Sequence, residues 1–227
     1  VHHLMKDYKA AINFFQTGLT YSQEGVAINA RLLNGLATVY RDTNELDLAF
    51  EFFQKSLKEI EGAENYILES KIYSDIGNYY LLKEDFEQAL LFQEKSIQIR
   101  KENKFYHPLI TNYTELAEIY LKQNKIKEAL ESALLVEKLS LQYNVKIKLY
   151  HAYLILSTIY ESMGKTSLAL DYYKKHTQVK DEVLNQESAR KIKQLSMHHE
   201  IETMQNEKEI FKLRNVVLKA ALDEIEA

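Results

Sequence analysis

The side chains best suited to binding a metal lie near the C-terminal end, at His198, His199 and Glu200. Imidazole and carboxylate groups bind transition metals, so these three residues are a possible metal site. Neighbouring residues on a helix point about 100° apart, which prevents His198 and His199 from sharing one ion easily. No further histidine follows this pair in the sequence. We therefore expect these side chains to be ordinary helix residues.

The sequence gives no indication of the other common catalytic or ligand-binding motifs. The chain has no cysteine, which excludes thiolate catalysis, disulfides and cysteine-based zinc sites. Gly62 and Gly164 stand alone, so there is no glycine-rich phosphate loop. The net charge of -4 is unlike the basic surplus of a general nucleic-acid binder. We expect no enzymatic activity, no cofactor, no metal and no nucleic-acid partner.

A period of 40 residues organises most of the chain. Each unit has a tyrosine, a small residue three positions before it and an alanine nine positions after it. Only one proline and six glycines occur in 227 residues, which favours nearly continuous helix. The small residues let two helices of a hairpin approach closely, and the tyrosine is expected to fill the space between hairpins. The repeated residues are Ala37, Tyr40 and Ala49; Gly77, Tyr80 and Ala89; Ala117, Tyr120 and Ala129; Ser157, Tyr160 and Ala169.

These residues and spacings resemble the tetratricopeptide repeat (TPR). The usual unit of that family has about 34 residues. The longer period here is similar to kinesin light chains and the bacterial Rap-type peptide receptors. The resemblance implies an all-α, TPR-like α-solenoid of helical hairpins. We expect an array over residues 1–176, with a partial repeat at 5–23 and full repeats at about 27–62, 66–103, 106–143 and 146–176.

The resemblance also implies a concave groove lined by the first helix of each hairpin. Residues nine, six and two positions before each tyrosine are expected to be exposed there, where they would contact a peptide or protein ligand. Asn34 and Asn78 could pair with the backbone of an extended peptide. Alternatively, each residue is simply part of a solvated helix face. The candidates are Arg31, Asn34, Thr38, Lys71, Ser74, Asn78, Thr111, Thr114, Glu118, His151 and Thr158.

The tail at 177–227 has a different pattern. Good helix formers dominate, and apolar residues recur with 4-3 spacing, which is typical of a coiled coil. We predict one long C-terminal helix that forms a homodimer; a capping helix folded back on the last repeat is the alternative. The candidate dimer seam is Met197, Ile201, Met204, Lys208, Phe211, Asn215, Leu218, Leu222 and Ile225.

The tail segments at 180–184 and 207–215 also resemble the connector of bacterial TPR signalling proteins, in which repeats precede a histidine kinase, a phosphatase or a nucleotide cyclase. That resemblance implies a non-catalytic, cytoplasmic sensor module, as in two-component systems, which relays its state to a downstream output domain. The alternative is a stand-alone Rap-like peptide receptor or scaffold. No apolar stretch in the sequence reaches the length of a membrane span.

Overall fold

The computed structural model describes residues 8–22 and 25–226; in the last helix, side chains are described up to 185 and at 191, 193, 196, 197, 201 and 203–212. Within these residues the chain forms nine α-helices and no strand. The predicted all-α array of helical hairpins is confirmed. The helices are α1 (Tyr8–Tyr21), α2 (Val26–Asp42), α3 (Leu46–Ile60), α4 (Tyr66–Leu82), α5 (Phe86–Glu102), α6 (Tyr106–Lys122), α7 (Ile126–Gln142), α8 (Lys146–Ser162) and α9 (Thr166–Glu226).

Contacts divide the chain into two compact units, one up to Thr177 and one from Gln178 onward. The first unit contains the repeats, whose helices pack in pairs as α2 with α3, α4 with α5, and α6 with α7. The second consists of the remainder of α9. Its pairing into a coiled coil stays a prediction.

Small residues bring the two helices of each hairpin together. Ala49, Ala89 and Ala129 are fully buried. In the fourth unit Ser157 donates from its hydroxyl directly to the backbone oxygen of Ala169 at 2.9 Å. Larger side chains at these positions would hold the two helices of a hairpin apart. The small residues found in the sequence therefore allow the close helix packing.

Three of the four repeated tyrosines, Tyr40, Tyr80 and Tyr160, join helices through ring stacking. Tyr40 stacks on Phe52 at 5.4 Å, and Tyr80 stacks on Phe92 at 5.5 Å. Both partners lie twelve residues later in the same hairpin, a contact that was not foreseen. Tyr80 also meets Phe50 of the preceding hairpin edge to face. The tyrosine therefore serves its own hairpin as well as the space between hairpins.

The turn after each first helix closes in the same way. The backbone N–H five residues after the tyrosine donates to the tyrosine carbonyl, as Asp85 does to Tyr80 at 3.0 Å. This bond requires a left-handed residue just before it, as in a Schellman motif. The residues in that conformation are Asn44, Glu84, Asn124 and Gly164, with φ of 65°, 57°, 56° and 70°.

Replacing Glu84 with glycine is expected to raise the free energy of unfolding by about 1 kcal/mol, because glycine adopts positive φ without the clash of a β-carbon. Equilibrium unfolding in urea measures the change. The matched control is Gly164→Ala at the equivalent turn, where we expect a loss of similar size. A loss of stability in Glu84→Gly would contradict the prediction.

Candidate functional site

The four first helices share one surface of the array. α2 contacts α4, α4 contacts α6, and α6 contacts α8, although a second helix separates each pair along the chain. Stacked hairpins of the same hand bring equivalent helices side by side in this way. We call the surface formed by α2, α4, α6 and α8 the groove face.

Hydrogen bonds cross from one first helix to the next on the groove face. Asn34 Nδ2 donates to Asp75 Oδ2 at 2.7 Å, and Ser74 Oγ donates to Glu115 Oε2 at 2.9 Å. Each bond joins the residue six positions before one tyrosine to a carboxylate five positions before the next. Asn78 Nδ2 also donates to Glu115 Oε1 at 2.7 Å. Asp75 and Glu115 therefore tie neighbouring hairpins together.

This row of bonds stops where the carboxylate is missing. The position equivalent to Asp75 and Glu115 is Ile155 in the fourth unit. Thr114, which would pair with it, donates instead to the carbonyl of Ile110 in its own helix at 2.8 Å.

A cleft of about 370 Å³ opens on the groove face. Its volume lies within the range of small-ligand sites. Every first helix of the array contributes to its walls, so the cleft exists only because four units are stacked. The lining residues are Arg41 and Asp42 at the end of α2; Asn78, Leu81 and Leu82 of α4; Thr114, Glu115 and Glu118 of α6; and Lys148 and His151 of α8.

Charges of both signs meet in the cleft. Burial raises the pKa of Glu115, and the hydrogen bonds from Asn78 and Ser74 oppose that shift. Burial also raises the pKa of Glu118, against the charge of Lys148. For Lys148 burial lowers the pKa, and the two carboxylates act in the opposite direction. Charges in such a partly desolvated site act on a ligand more strongly than charges in open water.

We expect the stability of the wild-type chain, measured relative to Glu115→Gln, to increase as the pH falls from 7 to 5. The pKa of Glu115 is raised in the folded state, so the folded chain keeps a proton that the unfolded chain has released. Stability then falls as the pH rises through this window. Urea unfolding at both pH values measures the difference. Glu131→Gln, on an exposed position of α7 outside the cleft, is the control, and the same pH response in both variants would contradict the prediction.

Four of the residues predicted from the sequence lie in the cleft, namely Asn78, Thr114, Glu118 and His151. The expectation of exposure is wrong for Asn34, Ser74 and Thr114, which are 3%, 3% and 6% exposed. Asn34 and Ser74 are buried because their side chains turn toward the neighbouring first helix and bond its carboxylate. Contact between any of these residues and a ligand stays a prediction.

The other groove candidates lie outside the cleft. Arg31 and Lys71 are exposed, and Lys71 Nζ pairs with Asp75 at 2.5 Å. Thr38 and Thr158 donate to backbone carbonyls of their own helices at 2.9 and 3.1 Å. Thr111 is half-buried.

Sequence reasoning missed Asp75, Glu115 and Lys148. A signal for the first two was present, because a carboxylate recurs five positions before the tyrosine in the second and third units. Lys148 has no acidic or basic counterpart at the same position of the other units, where Ile28, Leu68 and Pro108 stand. Only the structure brings it beside the carboxylates of α6.

In the tail, the described part of the candidate dimer seam is exposed. Met197, Ile201, Met204 and Phe211 are 53%, 49%, 62% and 65% exposed, and Lys208 is exposed as well. The side chains of the remaining seam candidates lie outside the described residues, as do those of the rejected metal run: Asn215, Leu218, Leu222 and Ile225; His198, His199 and Glu200.

The described residues contain no group of three histidine, cysteine or acidic side chains placed to hold a metal ion. None of the described helices has the length and apolar character needed to cross a membrane.

Two family models, both described as tetratricopeptide repeat, match the chain. One covers residues 29–102 and the other covers residues 150–181. The first range runs from within α2 to the end of α5 and so covers most of the first two hairpins. The second range covers most of α8 and the start of α9. No curated protein sequence matches the chain.

Several solved structures share the fold at low sequence identity. BtubC (BKLC) from P. vanneervenii is 14% identical with a TM-score of 0.66, over 80% of this chain and 76% of that one. The apo form of RapI is 17% identical with a TM-score of 0.67, over 80% of this chain and 51% of RapI. Aspartyl phosphate phosphatase F from Bacillus subtilis is 16% identical with a TM-score of 0.61, over 79% and 57%. This chain therefore spans little more than half of the latter two.

Proposed function

Because the chain is a tetratricopeptide-repeat protein and its repeats are a protein-interaction module, we propose that the cleft on the groove face binds an extended peptide segment of a partner protein. The observation that supports this proposal is the cleft itself, which combines the amide of Asn78 with the charged groups of Glu118 and Lys148. An amide side chain can pair with a peptide backbone through both its donor and its acceptor. The charged groups would select among side chains.

The charges favour a ligand that brings a basic side chain. Arg41 is paired with Asp42 at 2.8 Å and Lys71 with Asp75, so these four charges are largely satisfied. Glu118 is exposed in the cleft, and its carboxylate lies near the ammonium groups of Lys148 and Lys122. A lysine or arginine of the ligand placed beside Glu118 would form a further favourable charge pair with this carboxylate.

A displayed library of random peptides, selected against the purified chain, tests this proposal. We expect enriched peptides to contain lysine or arginine. The Glu118→Lys variant should bind a selected synthetic peptide about tenfold more weakly by calorimetry, because it replaces attraction with repulsion.

The matched control is Glu131→Lys, which makes the same charge change on the exposed face of α7. Its affinity for the selected peptide should equal that of the wild-type chain. Absence of enrichment, or an equal loss in both variants, would reject the cleft as the binding site.

For the tail we propose dimerisation, through which the repeats of a cytoplasmic bacterial signalling protein would pass their ligand-dependent state to an output domain. Support comes from the apolar side chains of Met197, Ile201 and Met204, which recur at seam spacing and are exposed. Sedimentation equilibrium should show a dimer for the wild-type chain and a monomer for Ile201→Glu/Met204→Glu. Gln205→Glu, an exposed position between seam residues, should remain a dimer.

The second candidate function is a stand-alone, Rap-like peptide receptor or scaffold. The shared fold with RapI and with aspartyl phosphate phosphatase F favours it. This candidate needs peptide binding but no dimer. A wild-type chain that binds selected peptides and sediments as a monomer would support it over the dimeric sensor.

A further inference from the structure

The contact between the second hairpin (α4 and α5) and the third (α6 and α7) differs in chemistry from the contacts on either side. Three equivalent positions lie in each of the three contacts between successive hairpins, and they recur every 40 residues along the chain. All nine residues at these positions are buried. We call the middle set the polar seam. The sets are Phe53, Ile60 and Ile72; Gln93, Arg100 and Asn112; Ala133, Ser140 and Ala152.

Side-chain hydrogen bonds hold the polar seam together. Asn112 Nδ2 donates to Gln93 Oε1 at 2.6 Å, and its own Oδ1 accepts from Arg100. The Arg100 guanidinium also donates to the carbonyl of Pro108 at 2.8 Å. Among the described residues no carboxylate lies within salt-bridge distance of Arg100. Burial lowers the pKa of this guanidinium, and the charges of Glu115 and Asp75 oppose that shift from a distance. The hydrogen-bond acceptors of the buried cation are neutral groups of Ser70, Pro108 and Asn112.

The polar seam separates the apolar contacts of this hairpin pair. On α5, Gln93 stands between Ala89 and Ile97, which belong to two different buried apolar clusters, and the partly buried Leu90 packs against both. The first contact instead packs Phe53 and Ile72 within one larger cluster. The second contact therefore has less continuous apolar burial than the first.

The polar seam also continues to the groove face. Gln93 Nε2 donates to the carbonyl of Ser74 at 3.2 Å and lies 3.5 Å from Asn78 Oδ1. Ser74 and Asn78 in turn bond Glu115 across the same pair of hairpins. One connected network thus runs from the buried Arg100 to the cleft.

The cleft crosses the boundary that the polar seam marks. Its walls on one side come from α2 and α4, and those on the other side come from α6 and α8. Any relative rotation of the two halves of the array would therefore change the width of the cleft. Rotation at the first contact would leave most of the cleft walls together.

We propose that the polar seam is the hinge of the array, and that opening at this contact widens the cleft while closure narrows it. When an apolar contact opens, it exposes Phe53 and Ile72 to water with no compensation. When the polar seam opens, water replaces the lost hydrogen bonds and rehydrates Arg100. Opening at the polar seam is therefore less costly than opening at the first contact, and hinges form at such positions.

Pairs of spin labels test this hinge, because the chain has no native cysteine to compete with introduced ones. Exposed positions at the start of successive second helices recur every 40 residues at Asp47, Glu87, Lys127 and Ser167. Pulsed electron spin resonance on the full chain, without ligand, gives the distance distribution for each neighbouring pair. We expect the 87/127 distribution to be about twice as broad as those of 47/87 and 127/167. Equal widths for the three pairs would overturn the proposal.

Replacing the three residues of the polar seam with their counterparts from the first contact tests whether the polar seam causes the broader distribution. The variant Gln93→Phe/Arg100→Ile/Asn112→Ile should narrow the 87/127 distribution to the width of 47/87, and an unchanged width would reject the polar seam as the reason for the motion. If the graft does not fold, the comparison of the three wild-type pairs still decides whether the hinge exists. These measurements use no peptide, so the hinge can stand or fall independently of the proposed function.

Discussion

Replacing Phe53 with alanine is expected to lower the free energy of unfolding by about 4 kcal/mol. The side chain is 0% exposed and packs with Ile60 and Ile72 between the first two hairpins. Its ring also meets Tyr79 edge to face, with centroids 6.4 Å apart. Helices α3 and α4 are held by many other contacts, so the cavity cannot fully collapse. Urea unfolding followed by circular dichroism measures the loss.

The matched control for Phe53→Ala is Phe14→Ala. Phe14 is 63% exposed on α1, so its removal should change the free energy of unfolding by less than about 0.5 kcal/mol. If both substitutions have similar effects, the contact between the first two hairpins does not depend on the buried ring.

Replacing Asn112 with leucine is expected to lower the free energy of unfolding by about 3 kcal/mol, because the buried guanidinium of Arg100 loses a hydrogen-bond acceptor. Leucine fills a similar volume, so the loss is not a cavity effect. Arg100 loses the acceptor Oδ1, and Gln93 loses its donor. Both groups are already shielded from the water that could replace these bonds.

A double substitution separates the stranded charge from a packing defect. Arg100→Met removes the cation, so Arg100→Met/Asn112→Leu should recover most of the stability lost in Asn112→Leu alone. If the double variant is less stable than Asn112→Leu, the cost has another origin. The same urea experiment provides all the values needed for the double-mutant cycle.

The hairpins and their order were predictable from sequence because they depend on local sterics. An alanine that must pass another helix closely, as Ala49 or Ala89 does, recurs at a fixed distance from its tyrosine. The turn residues follow the same logic, since Asn44 and Gly164 are residue types that tolerate positive φ. These constraints act within one unit, and their repetition in four units makes them visible in the sequence.

Contacts between units were harder to predict. Gln93 occupies the position that Phe53 has in the first unit, but its partners Arg100 and Asn112 are residue types usually found in water. Their burial depends on how α6 is rotated against α5, which no pattern along a single helix specifies. The same holds for Lys148, whose carboxylate partners lie on another hairpin.

The hydrogen bonds between first helices make the groove face depend on the order of the units. Asn34 with Asp75 and Ser74 with Glu115 are both pairs 41 residues apart, so no excised 40-residue segment could form either. A chain with its second and third units exchanged would keep its exact composition. It would place Asn34 beside Glu115 and leave Ser74 beside Ile155, which accepts no hydrogen bond. Shuffling the units would therefore create a different groove face from the same amino acids.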